Sequence, residues 1–360
     1  MQKRYRTLVI NPKTTKTIIS VFHNEKCIYK QTLNHQTIFK NDLTEIDNEV
    51  TIRKTQILRV LNEAGINMSK LDAVAANGGL LRAVEGGTYS VTADVLKDLR
   101  SSYNGKHASN LGGILASEIA KGLNIPAYIV DPPVVDELSD LAKFSGLPGI
   151  ERKSIFHALN QKAVARQAAR ELRITYNQAN LIVAHIGNGI TIGAHRCGKV
   201  IDVNNGLHGD GPFSLERAGT IPSEALISLC FSGEYTEEDI INKITYKGGL
   251  KAYLHTDNIT EVEKRIRNND KYAKKVFEAM AYQISKEIGA MAVVLSGKVH
   301  GIVLTGEIAR SEILTEFITE KINWIADAFI YPGEYDIQAL NAGTLRVLRQ
   351  EERPKIYNEY

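Results

Sequence analysis

Two stretches of this sequence set small and hydroxyl-bearing residues in a tight loop between short apolar runs. The first, Asn11-Pro12-Lys13-Thr14-Thr15-Lys16-Thr17, lies within Leu8–Leu33, and the second, Gly187-Asn188-Gly189, lies within Leu181–Asn205. A loop of this composition between buried strands can turn backbone N–H groups and hydroxyls toward a phosphate. Side chains suited to the same oxyanion chemistry stand nearby in the sequence. Asn11 closes an apolar run, and its amide can donate to a phosphate. His185 follows the run Leu181–Ala184 and opens the Gly-Asn-Gly turn. Arg217, in FSLERAGT, carries a planar fork of donors fit for bidentate oxyanion binding; a surface ion pair with Glu216 is the other reading. Asp131 ends a strand at Ala127–Val130, where α/β folds place ligands, or else begins an Asx turn before Pro132. His107 opens a helical segment, where capping competes with ligand contact.

The elements that hold these residues follow from apolar spacing. Short apolar runs bounded by turn residues read as strands, and both Leu8–Leu33 and Leu181–Asn205 read as three strands with a tight charged turn between the second and third. Such a repetition implies two similar halves. After a polar stretch from Asn34 to Val50, helical spacing runs from Thr51 to Ala64, with Gly65 as a stop. Further strands are expected at Leu71–Ala76, Ala127–Val130, Gly301–Leu304 and Phe329–Tyr331. Helices are expected at Asn110–Leu123, Ser154–Leu172, Glu261–Arg267, Lys271–Leu295, from Arg310 to Ile322 and from Ile337 to Gln350. Alternating strands and helices argue an α/β architecture. Gly146, Pro148 and Gly149 mark Phe144–Arg152 as the crossing between domains, and the tail beyond Pro354 reads as loose.

At 360 residues the chain suits two cores rather than one. Its net charge of +3, with both signs interspersed, leaves no basic stripe for nucleic acid. No apolar run approaches the roughly 20 residues that span a bilayer. Asn11 and Pro12 cut short the only apolar run near the N-terminus, so no signal peptide is expected. Cys27, Cys197 and Cys230 are odd in number and widely spaced, which fits a reduced, cytoplasmic protein better than a disulfide framework or a zinc site.

Seven collinear segments together resemble butyrate kinase, of the acetokinase branch of the actin, hexokinase and Hsp70 ATPase superfamily. They are GGLLRAVEGGTYSV (Gly78–Val91), HASNLGGILASEIA (His107–Ala120), VDPPVVDEL (Val130–Leu138), RKSIFHALNQKAVAR (Arg152–Arg166), the long stretch from Ala184 to Pro222, KGGLKAYLHT (Lys247–Thr256) and YPGE (Tyr331–Glu334). The resemblance implies two duplicated actin-like domains of ribonuclease H-like α/β fold, each a mixed sheet flanked by helices, with the active site in the cleft between them. The first would span residues 1–150, with a C-terminal helix in 335–360 packing back on it. The second, 151–334, would bind nucleotide and form a homodimer. The implied reaction is reversible phosphoryl transfer from ATP to a short-chain carboxylate, butanoate, giving an acyl phosphate and ADP with Mg²⁺ as cofactor. His185, Arg217, Asn11 and Asp131 would be catalytic; His107 and Asn77 would touch the carboxylate substrate. Thr14, Lys16, Gly187, Asn188, Gly189, Thr305, Gly306 and Glu307 would line the nucleotide, and Glu334 or Asp336 would serve the metal. Such chemistry needs positioned cations and donors and no general base, because a carboxylate is already a nucleophile.

Four residues at three places depart from the pattern. Lys13 and Lys16 stand where the family has a glycine and a hydroxyl residue, Asn77 where it carries an arginine, and Glu307 where it has a second glycine after Thr305-Gly306. The gained charges suggest that Glu307 pairs with Lys13 or Lys16. They also leave a second reading, a catalytically impaired paralogue or binding protein on the same scaffold.

Overall fold

A computed structural model describes residues 4–35, 43–207 and 209–357. The chain divides into two compact units, Met1–Val135 with Tyr335–Tyr360, and Asp136–Glu334.

The first unit opens with β1 (Arg6–Pro12), β2 (Lys16–His23) and β3 (Lys26–Asn34), then α1 (Leu43–Glu63), β4 (Ala73–Ala76), β5 (Thr88–Ser90), α2 (Ala93–Ser101), α3 (Asn110–Leu123) and β6 (Ala127–Val130). The sheet order is β3-β2-β1-β4-β6-β5, antiparallel in the opening hairpins and parallel across β1-β4-β6. Leu8, Ile10, Val74, Ala76 and Ile129 bury one face of this sheet against apolar residues of α1, α2 and α3, as the two-residue period of a strand requires. Helix α1 begins well before Thr51, inside the stretch that the sequence reads as polar connection; residues 36–42 of that stretch lie outside the described residues. Gly65, at φ +67°, ends the helix with Ile66 N–H donating to the Leu61 carbonyl.

The second unit carries α4 (Asp140–Lys143), α5 (Ala158–Glu171), β7 (Asn180–Ile186), β8 (Ile190–Arg196), β9 (Lys199–Val203), α6 (Ser223–Cys230), α7 (Glu237–Tyr246), α8 (Gly249–Leu254), α9 (Ile259–Arg267), α10 (Lys271–Val294), β10 (Gly301–Gly306), α11 (Glu312–Ile322) and β11 (Ala328–Pro332). Its sheet runs β9-β8-β7-β10-β11, two antiparallel hairpins continued by parallel strands. Ile182, Ala184, Ile302 and Leu304 pack on α10 through Phe277, Met280, Ile284 and Ile288, while α5 lies along β7 and β10. The two sheets therefore repeat one pattern. In both, the register shifts within the second strand, between Val21 and Phe22 and between Ala194 and His195. Both second hairpins close in two residues, Asn24-Glu25 and Cys197-Gly198, with positive φ at Asn24, Cys197 and Gly198.

The crossing falls at Val135/Asp136 and not at 144–152. Residues beyond it are already tied to the second unit: Ser139 N–H donates to the Ile201 carbonyl, and the buried Glu137 carboxylate pairs with Lys162 at 2.8 Å. The glycines and proline at 146–149 instead turn a small hairpin closed by a bridge between Phe144 and Glu151.

The chain returns to the first unit through α12 (Asp336–Leu348), which packs along β1, β4 and β6. Thr7 Oγ1 donates to Asn341 Oδ1 at 2.5 Å. Gly343 allows the close approach, since a Cβ there would lie 2.9 Å from a Val130 methyl. The tail is not loose through Tyr357. Ser90 N–H donates to the Lys355 carbonyl, and the buried Tyr357 hydroxyl donates to Asp98 at 2.7 Å. Among the described residues no helix is long and apolar enough to cross a membrane.

Candidate active site

In the second unit the site residues gather where β7 and β10 end. Parallel pairing puts His185 beside Thr305, and antiparallel pairing puts it opposite Thr191. His185 is buried, and its Nε2 lies 3.1 Å from Glu334 Oε1. A carboxylate only accepts, so Nε2 carries the hydrogen of this bond. That leaves Nδ1, which is buried and has no partner. Gly187 preserves space beside it: a Cβ there would sit 3.0 Å from His185 Cε1. The other face of the ring stacks on His157, with centroids 3.7 Å apart and planes 15° from parallel.

His157 was not singled out from sequence. It directly precedes α5 within Arg152–Arg166, and its Nδ1 lies 2.9 Å from Thr191 Oγ1. Beneath it the polar network continues. Gln161 Nε2 donates to Thr191 Oγ1 at 2.8 Å, its Oε1 meets His195 Nε2 at 3.0 Å, and His195 Nδ1 meets the Tyr176 hydroxyl at 2.8 Å. Buried polar groups are costly unless paired, and these are paired in series. Burial holds the His195 imidazole well below its ordinary pKa, with the charges of Lys162 and Arg166 adding to the effect.

Arg217 reaches the same turn from a long connection between β9 and α6. Its Nη1 donates to the Gly206 carbonyl, and Ser214 Oγ donates to the Asn188 carbonyl. Arg217 Nε is buried and unpartnered. Gly189 makes room for the guanidinium, because a Cβ there would stand 2.9 Å from Arg217 Cζ. Burial lowers the Arg217 pKa from its ordinary value, while Glu216 and Tyr246 oppose the shift; an arginine remains charged at working pH. Arg217 thus makes no pair with Glu216, whose contact is Lys251 at 3.8 Å. Thr305 Oγ1 donates to Asn160 Oδ1 at 3.2 Å, and Gly306, at φ +93°, passes so close to the Ile186 backbone that a Cβ would lie 2.8 Å from its carbonyl carbon. Asn188 is exposed at the tip of the turn.

Glu307 is exposed and pairs with Arg310 at 2.9 Å. The two lie three residues apart on a single helical turn, where closing the contact orders little chain.

In the first unit a cluster forms at the end of β1. Asn11 Nδ2 donates to Asp336 Oδ2 at 2.9 Å, and Lys13 Nζ lies 3.0 Å from the same oxygen. Asp336 is the first residue of α12, where a carboxylate also favours the helix dipole. Asn11 Oδ1 is buried and unpartnered. Of the two candidate metal carboxylates, Glu334 contacts His185 within the second unit, and Asp336 contacts Asn11 and Lys13 within the first. Thr14 and Lys16 are exposed.

The remaining candidates have local partners. Asp131, buried at φ +39°, accepts from Gly87 N–H at 2.7 Å and donates its own N–H to the Gly87 carbonyl. It locks β5 to β6 and does not turn into an Asx turn ahead of Pro132. His107 is exposed before α3, with Nδ1 2.6 Å from Ser109 Oγ. Asn77 follows β4, half-buried, with Oδ1 unpartnered and its backbone against Gly112 of α3.

No cluster of three or more His, Cys, Asp or Glu side chains suited to a metal occurs among the described residues. The donors fit Mg²⁺ only as a minority of its shell, one carboxylate with an amide oxygen, which matches an ion that keeps several waters and takes phosphate oxygens.

Three solved structures share this fold. An acetate kinase from Porphyromonas gingivalis matches with a TM-score of 0.78 at 18% identity, covering 96% of this chain and 100% of its own. An acetate kinase from Entamoeba histolytica matches at 0.74 and 15%, covering 94% and 99%. A propionate kinase from Francisella tularensis subsp. tularensis SCHU S4 matches at 0.71 and 18%, covering 94% and 98%. At the level of sequence, residues 140–325 match the model of the acetokinase family. That span holds His157, His185, Arg217 and Thr305 and more than half of the 360 residues, and the chain belongs to the acetokinase family.

Proposed function

We propose that this protein is a carboxylate kinase that transfers the γ-phosphoryl group of ATP to a short-chain fatty acid, with butanoate as the preferred acceptor, in a reversible reaction. The observation that carries the reading is the pair of buried, unpartnered nitrogens flanking one glycine turn, His185 Nδ1 at Gly187 and Arg217 Nε beside Gly189. A buried polar group without a partner calls for an explanation, and a bound ligand supplies one. A guanidinium beside backbone N–H groups suits the equatorial oxygens of a phosphoryl group, and His185 adds a donor through Nδ1 when its ring carries both hydrogens.

In the forward direction a carboxylate oxygen of the acid attacks the γ-phosphorus, and the bond from that phosphorus to the β,γ-bridging oxygen breaks as ADP leaves. No proton needs removal. Arg217 and a doubly protonated His185 stabilise charge on the transferring group, and Glu334 keeps the His185 ring oriented through Nε2. Mg²⁺ would supply charge neutralisation at the phosphates. Asp336 and Asn11 Oδ1 are the groups of the first unit that would hold it, and Glu334 is the candidate in the second. Thr14, Lys16, Thr305 and Gly306 are assigned to nucleotide, and His107 and Asn77 to the acid. Three free cysteines accord with a cytoplasmic location. Exposed Phe231, Val293 and Trp324 on the second unit accord with a homodimer, which sedimentation would test.

Lys13 on Asp336 favours a second reading, an impaired paralogue, because an ammonium occupies the carboxylate that a cation would use. Trapping acyl phosphate with hydroxylamine, using ATP and acids of two to six carbons, decides. Product with a maximum kcat/KM at four carbons supports the proposal. A methylene is worth about 1–3 kcal/mol in such a pocket, so a maximum at another length moves the substrate assignment, and no product with any acid supports the paralogue.

A further inference from the structure

We propose that Arg53, on α1, is the positioning residue that shapes the Lys13–Lys16 turn for nucleotide phosphates, with Glu49 as its counter-ion; the functional part rests on the kinase reading above. Arg53 is fully buried, which is exceptional for an arginine. Its Nε donates to Glu49 Oε1 at 2.6 Å. Its Nη1 donates to the Lys13 carbonyl at 2.9 Å and to Thr17 Oγ1 at 3.1 Å, and its Nη2 to the Thr14 carbonyl at 3.1 Å. Every guanidinium nitrogen is thus in use, and two of the bonds go to consecutive peptide carbonyls of one turn. A buried pair of charges is retained only where such extra bonds offset its desolvation.

The consequence for the turn follows from peptide geometry. No peptide bond here is cis, and in a trans unit the C=O and the following N–H point opposite ways. Holding the carbonyls of Lys13 and Thr14 on one guanidinium therefore directs the N–H groups of Thr14 and Thr15 away from it. Two successive N–H groups on one side of a turn form an anion-binding concavity. The turn is pinned at its other points as well. Thr17 accepts from Arg53 and lies 2.8 Å from His35 Nε2, His35 N–H donates to the Thr15 carbonyl, and Lys13 N–H to the Lys16 carbonyl. In place of the glycine that elsewhere permits close backbone approach, this chain holds the shape from beneath with a planar fork that a lysine cannot reproduce.

The test uses the full-length Arg53→Lys variant, with the doubly neutral Glu49→Gln/Arg53→Met variant as a second, in case a lone buried carboxylate prevents folding. Two readouts are taken. Amide hydrogen exchange in the peptide covering residues 12–17 should rise about tenfold or more, with α3 and the second unit unchanged. KM for ATP should rise about tenfold while KM for the carboxylate stays within about twofold, because only nucleotide binding loses its shaped turn. A lower kcat with both KM values and the exchange of 12–17 unchanged would mean Arg53 serves folding alone, and overturns the proposal. If the wild-type protein forms no acyl phosphate, the kinase reading fails by itself. Exchange then decides the structural claim, and an unchanged rate in 12–17 defeats it.

Discussion

The rings of His157 and His185 lie face to face, 3.7 Å between centroids, although 28 positions (185 minus 157) separate them in the chain. The stack covers one face of His185 and leaves its Nδ1 at the glycine turn. His157 is held in turn by Thr191, the strand partner of His185. His157→Ala should lower kcat about a hundredfold by loosening the ring it supports, and His157→Phe should recover part of the loss by restoring the stacked face. Equal loss in both variants would show that the nitrogen, not the stack, matters. Steady-state kinetics with the acyl-phosphate assay make the comparison.

Gly189 and Arg217 form a second coupled pair. Arg217→Ala is expected to lower kcat about a hundredfold or more, as for loss of a transition-state donor. Gly189→Ala should reproduce most of that loss with Arg217 still present, because its methyl occupies guanidinium space. Activity close to wild type in Gly189→Ala would mean the guanidinium has another working position.

Lys13, half-exposed, meets the buried Asp336 carboxylate at 3.0 Å, and solvent at the ammonium end screens the pair. Its larger effect is on cations. Lys13→Gly removes a positive charge from the carboxylate and should tighten Mg²⁺ binding about tenfold, read by calorimetry in the presence of ADP. An unchanged affinity would assign the metal to Glu334 instead.

His195 predicts a pH dependence of stability. Burial depresses its folded pKa below the unfolded value of about 6.5. The neutral ring therefore contributes stability that is fully present above about pH 6.5 and is lost as pH falls toward the folded value. Urea midpoints should drop between pH 7 and pH 5, and His195→Gln should flatten that slope by up to about one proton. Parallel slopes in the two proteins would exclude His195 as the source.

Local sequence carried the repeated hairpins, the Gly-Asn-Gly turn with His185 before it, and the stop at Gly65. Alternation of apolar residues and turn chemistry act over a few positions, so these features are legible without any knowledge of distant contacts. The helix before Thr51 was not, because its first half is polar and forms where tertiary contacts to Glu49 and Arg53 reward it. The fate of the charges was equally beyond sequence. Glu334 and Asp336 are two residues apart, yet the chain passes from one compact unit to the other between them, so one carboxylate meets His185 and the other meets Asn11 and Lys13. Arg53 reads as one more cation on an amphipathic helix until the fold removes it from water and sets two carbonyls of the Lys13–Lys16 turn within its reach. Motif and spacing determined which residue types were available for phosphoryl chemistry. Sheet order and the return of α12 decided which of them stand together, since pairing across the chain depends on topology rather than on any local preference.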